Sequence, residues 1–506
     1  MEPSLDWVVL AAKVTQTALI LVLLSWMSRS IYRLCFHPLS KFPGPKLAAI
    51  SDLYYAYTFT SGRWPFIAEN LHRKYGPVVR ISPRELSFAT VESYRDIYQY
   101  GMRDKSKIFI KGETYANRGN IHIQNARDPD QHAKIRKKLA PAFSTKALRD
   151  QEDIVQHHVD TLIAQLGKMG EPGGPGIDLK EAFEWLTFDI AGDLTFGEPF
   201  GATAEGKTHF WSSVIQQAFY LTAISTLRKR IPAIILLVLW NMPKGFAQTR
   251  KHHEQITEQK VRRRLEIGDT RQRADFFGHL FNTEQQEQLG GVASADSIYN
   301  DMVANAQILM VGSAETIKGF FLAVSYLLMQ HPECLAKLTS EVRSKFATAS
   351  EITGQSTTPL PYLNAVIEEG LRIFPPVPTG PERIVPSGGA NVSGYHVPGG
   401  TTVATHQYVT AHDPKYWHEP GSFLPERWLG EGFGDRKEAS QTFSLGPRGC
   451  IGMNLAYLEM RITLAKMVFA YDWQLLSKDV DLFRDSQMYI TWFTPEVRAV
   501  FHPRED

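Results

Sequence analysis

Cysteine is nearly absent from this chain of 506 residues, where only Cys35, Cys334 and Cys450 occur. An odd and widely scattered set gives no disulfide framework, so the folded body belongs in a reducing compartment. A surplus of one charge is absent too. Lys and Arg number 55 against 53 Asp and Glu, a net charge of +2 that makes no case for nucleic acid as a partner. There is no internal repeat, no low-complexity segment and no mid-chain linker, although the length alone would suit about three domains. No G-x-G-x-x-G follows a strand-like run, so the chain carries no motif for a flavin or nicotinamide. What is there is 43% apolar and 21% charged, enough to bury a large core.

Long apolar runs are few. Trp7 to Met27 is the longest, and about 20 residues suffice to span a bilayer. Lys13 lies near one end, where it can snorkel to the interface. A cleaved signal peptide is the rival reading, but Glu2 and Asp6 stand where such a peptide wants positive charge. Arg29, Arg33, Lys41 and Lys46 follow the run and place the downstream side in the cytosol. Residues 1–30 thus read as a membrane anchor. Residues 31–50 read as a basic, proline-rich hinge, because the prolines of His37 to Lys46 interrupt regular structure. Residues 51–506 form the remaining body. Within it, Tyr75 to Phe88 alternates between turn signals and reads as a hairpin. Ile231 to Trp240 is a second apolar run, too short to span, and reads as a buried helix or an exposed apolar lip.

The chemistry gathers at Phe443 to Gly452, FSLGPRGCIG. Apolar residues Leu455, Leu458, Ile462, Ala465 and Phe469 recur at helical spacing, so a helix begins at about Gly452. Cys450 then sits at a helix N-terminus, where free N–H groups and the macrodipole favour a thiolate. A thiolate on a tight glycine-rich loop is what a haem iron needs as proximal ligand. An inert cysteine in a turn is the bland alternative. The stretch resembles the haem-ligand loop of the cytochrome P-450 family, F-x-x-G-x-R-x-C-x-G, with Phe443, Gly446, Arg448, Cys450 and Gly452 in its fixed places.

Further motifs follow the same resemblance. A helical pattern runs from near Asp296 to Gln330, stopped by His331-Pro332, and carries Gly312-Ser313-Ala314-Glu315-Thr316 at its middle. Thr316 can bond the carbonyl four residues back and open a groove in the helix wall. The family's oxygen-binding motif, A/G-G-x-D/E-T, is similar, with Ser313 in place of its second glycine. A helix over Leu363 to Phe374 carries Glu369 and Arg372 at i, i+3, by itself an ordinary surface pair worth little. The resemblance makes these two the family's E-x-x-R, joined by Arg427 of Pro425-Glu426-Arg427 in a buried network that locks the cysteine loop. It also implies that Arg136, Arg383 and Arg448 meet the haem carboxylates. His132 stands where the family usually has tryptophan, keeping a donor and losing the indole. Lys134, Lys137 and Lys138 are either a solvated face or a dock for an acidic redox partner. Gly312, Val377, Thr379, Trp492 and Phe493 fall at places of substrate contact, and Ile231 to Trp240 falls between two helices that flank the family's substrate access loop.

The fold implied is mainly α, the cytochrome P-450 fold of one large helical domain with small β-sheets, preceded by one transmembrane helix. The implied protein is a haem b monooxygenase of the endoplasmic reticulum membrane, single-pass, its catalytic domain in the cytosol. Cys450 is the iron ligand, and Thr316 with Glu315 serves the proton relay to bound O2. Electrons must come from a partner, an NADPH–cytochrome reductase. The fungal character of the hinge and of GPRGCIGMNLAYLEMR points to a lipophilic secondary metabolite as substrate: a polyketide, terpenoid or alkaloid. The alternative is a haem-thiolate isomerase or dehydratase that does not activate oxygen, which the acid–alcohol pair disfavours. A thiol hydrolase using Cys450 lacks a recognisable base.

Overall fold

A computed structural model describes residues 5–99, 105–116, 120–231, 246–267, 275–276, 278 and 295–504. Helix α1, Leu5–Ile31, stands apart from the body with its described side chains exposed along the apolar run. Its hydroxyls fold back on the helix: Thr15 donates to the carbonyl of Ala11 and Thr17 to that of Lys13. Such bonds hide the polar groups that interrupt an apolar surface. Val9–Phe36 is long and apolar enough to cross a membrane, and no residue of its most apolar stretch is buried.

The proline-rich segment after α1 is docked on the body. Leu39 and Phe42 are buried, and the backbone N–H of Arg80 donates to the carbonyl of Pro43 at 2.7 Å. Gly44 permits this approach, since a Cβ there would lie 2.3 Å from the Arg80 carbonyl oxygen. Arg80 closes the joint by donating to the carbonyl of Arg33. The segment expected as a stiff connector thus fixes α1 to a sheet.

That sheet opens with the expected hairpin, β1 (Val78–Ser82) and β2 (Glu85–Phe88), paired antiparallel. Helix α2, Val91–Tyr98, follows with Thr90 as its N-cap. Three more strands complete the sheet in the order β1-β2-β6-β5-β3, where β3 is Ile110–Lys111, β5 Arg383–Ile384 and β6 Thr402–Thr405. A second sheet, ordered β4-β8-β7, joins β4 (Ile177–Asp178), β7 (Tyr471–Leu475) and β8 (Arg498–Pro503).

Helices make the rest. Those that position the site are α3 (Pro129–Leu139), α4 (Thr145–Met169), α5 (Leu179–Phe196), α6 (Phe210–Arg230), α7 (Ala295–Gln330), α8 (Pro361–Ile373) and α9 (Met453–Ala470). The 36 residues of α7 run about 54 Å at 1.5 Å per residue, enough to cross the whole body. Although Tyr299–Gln330 is apolar enough to pass for a membrane span, it is largely buried and is the core helix. It packs along α5, which is buried on nearly every side, with the rings of Phe183 and Phe321 stacked at 5.3 Å. His331 and Pro332 end α7, since proline cannot continue the ladder. Residues 232–240 of the second apolar run lie outside the described residues.

Candidate active site

Between the sheet and α9, the cysteine loop is shaped by its glycines and its hydrogen bonds. The N–H of Cys450 donates to the carbonyl of Phe443 at 2.8 Å, closing the loop on itself. Gly446 has φ +72°, and a Cβ there would fall 2.1 Å from the Tyr98 carbonyl oxygen at the end of α2. Only glycine meets both conditions. Phe443 sets its ring against Tyr457 of α9 at 5.3 Å. Arg136 of α3 donates to the carbonyl of Gly449 at 2.7 Å, tying that helix to the residue before the cysteine. Cys450 is accessible, yet dense protein surrounds it, so it lines a recess and not the outer surface. Its charge differs from the expectation. Burial pushes the thiol above its ordinary value; the helix N–H of Gly452 and the charge of Arg136 pull down and do not overcome it. The helix terminus alone therefore does not make the thiolate, whereas coordination of a metal ion deprotonates a thiol outright.

Beside this loop lies a cluster of cations. Arg448 donates to the carbonyls of Ala126 and Arg127, and Arg383 is buried with its Nε unpartnered. His132 is buried, and its pKa falls to about 3 through burial and then the charges of Arg448, Lys111, Arg136 and Arg383. It is a neutral imidazole at any ordinary pH. Burial, with Arg448 and Arg383, lowers Lys111 to about 6. Three arginine cations and Lys111, which is left largely uncharged until an anion joins them, crowd one histidine and form a site for a ligand bearing more than one negative charge, since buried charges of one sign need a counter-ion. The two carboxylates of a haem fit that requirement, and the adjacent Cys450 fits its iron.

The middle of α7 is locally open. Thr316 Oγ donates to the Gly312 carbonyl at 2.8 Å, and Ser313 Oγ does the same to Leu309 at 2.7 Å. The Ser313 hydroxyl is thus folded against its own helix. A Cβ on exposed Gly312 would meet nothing within 4 Å. Glu315 points elsewhere. It is buried and accepts a bond at 2.8 Å from Lys318, which also donates to Glu184 of α5 at 3.1 Å. The acid and the alcohol are neighbours in sequence but not partners in the structure.

Val377 is exposed and Thr379 half-buried in the extended segment after α8. Trp492 lies at the end of the segment expected to reach the pocket. It is 5% exposed, stacks on Phe374 at 4.6 Å and donates its indole N–H to the Pro375 carbonyl. Its work is to hold the segment after α8 from within the core. Phe493 packs on Tyr489, which meets Tyr220 of α6.

Glu369, Arg372 and Arg427 form one wholly buried network. Arg372 grips Glu369 with two bonds at 2.7 and 2.8 Å, and Arg427 shares the same carboxylate at 3.0 Å. Two guanidiniums on one carboxylate would leave a surplus charge. Asp435, which no motif indicated, supplies the fourth member at 2.6 Å from Arg427. Arg372 also donates to the carbonyls of Ala411, Pro420 and Ser422. The network therefore pins residues 411–435, and the cysteine loop is tied to α8 separately by Thr442 donating to the Leu371 carbonyl.

Lys134 and Lys137 are exposed on α3, and Lys137 borders a recess of about 330 Å³ shared with His132, Arg136 and Pro447. Sequence reasoning missed Lys111, Lys318, Glu184 and Asp435. Each lies outside any motif; helical spacing could have paired Lys318 with Glu315, whereas contacts formed only on folding reveal the others.

A sequence profile of the family described as Cytochrome P450 matches residues 57–500. The chain is 40% identical to cytochrome P450 monooxygenase BOA3 of Botryotinia fuckeliana, covering 93% of each chain. It is 37% identical to cytochrome P450 monooxygenase btcC of Colletotrichum orbiculare, over 97% of this chain and 94% of that one. With cytochrome P450 monooxygenase astJ of Aspergillus oryzae the identity is 36%, over 94% of both. A mainly helical body with small sheets, a cysteine offered on a closed glycine loop and these matches over most of its length agree: the chain belongs to the cytochrome P450 family.

Proposed function

We propose that this chain is a membrane-anchored haem b monooxygenase that oxidises a lipophilic small molecule, a fungal secondary metabolite of polyketide, terpenoid or alkaloid type. The observation that carries the reading is Cys450, held on a loop closed by the Phe443 carbonyl, beside a cation cluster suited to a dicarboxylate. The fungal sources and printed names of the monooxygenases it resembles support the reaction class. Bound haem would supply the activation of O2. Cys450 would ligate the iron, and Arg136, Arg383, Arg448 and neutral His132 would hold the carboxylates.

Thr316 spends its proton on the Gly312 carbonyl, which leaves its oxygen free to accept from a water. The threonine then orders that water, and the proton delivered is the water's or arrives through it. Glu315 can feed this route only when its bond to Lys318 opens. Exposed Gly312 and Val377 and half-buried Thr379 are substrate contacts in this reading, with Trp492 and Phe493 behind them. Electrons come from an NADPH–cytochrome reductase that docks on Lys134, Lys137 and Lys138 through charge complementarity. Helix α1 anchors the chain in the endoplasmic reticulum membrane with the body in the cytosol, as the basic residues after it indicate.

Cys450→Ser should abolish the thiolate signature of the reduced, carbon-monoxide-bound spectrum. Thr316→Ala should keep haem and divert electrons from product into hydrogen peroxide. An unchanged spectrum in the first variant, or full coupling in the second, overturns the corresponding role.

A further inference from the structure

Strand β3 is two residues long and pairs antiparallel with β5 so that Lys111 stands directly opposite Arg383. Residues paired in this way share a face with Cβ atoms about 5 Å apart, where like charges repel. Both side chains are buried, 6% and 2% exposed. Lys111 donates to the backbone carbonyls of Ile123 and Gln124. Arg383 donates to the carbonyl of Glu382, and its Nε has no partner. The Glu382 carboxylate is already engaged by Arg230 and Thr114. The rings of Tyr115 and Tyr98 lie 5.4 and 5.2 Å from these two cations and bring no negative charge. Arg448 acts on Lys111 more strongly than Arg383 does, and it has the same sign. A buried cross-strand Lys–Arg pair, with an unused donor on the arginine and a lysine that holds its proton poorly beside like charges, calls for an anion between them.

We propose that Lys111 is a further positioning residue for the cofactor, donating with Arg383 to a haem carboxylate from the short strand β3. The inference rests on the haem reading above and adds a cation that none of the motifs contains. In this arrangement the ligand's negative charge relieves the repulsion within the β3–β5 pair. Haem retention and the alignment of these two strands are therefore coupled.

Lys111→Met would strand the carbonyls of Ile123 and Gln124, so the test uses Lys111→Gln, which keeps a donor and removes the charge, with Lys111→Arg as the rescue. The readouts are transfer of haem from the full purified chain to apomyoglobin and the ferric–ferrous potential. Loss of one charge-assisted hydrogen bond should speed haem loss about tenfold in Lys111→Gln. The same change should move the potential in the negative direction, and Lys111→Arg should restore both. A role confined to the two backbone carbonyls would leave the potential unmoved in Lys111→Gln, and that result overturns the proposal. A wild-type chain that takes up no haem overturns this inference and the function together. A haem-loaded wild type with a silent Lys111→Gln overturns this inference alone.

Discussion

Lys318 stands 2.8 Å from the Glu315 carboxylate, one turn along α7, and 3.1 Å from Glu184 on α5, with all three side chains at or below 9% exposure. Burial opposes the ammonium charge, but the two carboxylates outweigh burial and hold its pKa above the ordinary value. The cation belongs to both acids, so removing it should cost more than neutralising either one. Lys318→Met is expected to lower stability by about 3–5 kcal/mol, because it strands the buried Glu315 carboxylate and takes a cation from Glu184. Glu315→Gln should cost distinctly less, since the Lys318–Glu184 pair survives. Denaturant unfolding of the two variants gives the order, and equal losses would count against a shared cation.

Gly446 and Gly434 separate two reasons for glycine. Both have positive φ, but only at Gly446 would a Cβ collide with backbone, the Tyr98 carbonyl. Gly434→Ala should cost about 1–2 kcal/mol of backbone strain. Gly446→Ala adds displacement of the cysteine loop from α2 and should lower both thermal stability and haem content. Equal midpoints and equal haem content in the two variants would show that the approach to Tyr98 does not constrain the loop.

Asp435 balances the second guanidinium of the Glu369 network. Asp435→Ala should destabilise the protein by about 3–5 kcal/mol, as removal of one partner of a buried pair does. Its effect and that of Glu369→Gln should be strongly non-additive, because both act on Arg427. Additive losses in a double-mutant cycle would separate Asp435 from the network.

Glu459 of α9 is buried, and burial pushes its pKa up from 4.5 to about 8. A raised pKa means the folded state holds a proton that the unfolded state has released. The associated stability is complete below pH 4.5 and is lost as pH rises through about 8. Thermal midpoints should fall between neutral pH and about pH 8 and level off above it, and Glu459→Gln should flatten that fall. The buried histidines act in the opposite sense lower down. Burial depresses His406 and His412 from 6.5 to about 3, so the stability they protect is lost as pH falls below 6.5. A wild-type midpoint that stays constant above neutral pH, or a fall that Glu459→Gln leaves unchanged, would contradict the Glu459 account.

Much of the architecture was legible in one dimension because its causes are local. The end of α7 at Gln330 follows from His331-Pro332, and the hairpin of β1 and β2 from alternation between turn residues. Phe443, Gly446 and Cys450 announce the site because a closed glycine loop must be built from contiguous residues. Thr316 bonding back to Gly312 is likewise a matter of helical spacing. What the tertiary structure alone decided is which charges meet. Glu315 shares Lys318 with Glu184 because α5 packs on α7, although its sequence neighbour is Thr316. Trp492 is buried because Phe374 and the Pro375 carbonyl reach it. Cys450 stays a raised thiol because dense surroundings outweigh its helix terminus. Lys111 faces Arg383 across two strands more than 270 positions apart, and Asp435 meets Arg427 only because residues 411–435 are folded back onto α8. Helical and strand periods are written along the chain, whereas the sign and solvation of a buried charge depend on neighbours that folding brings from elsewhere.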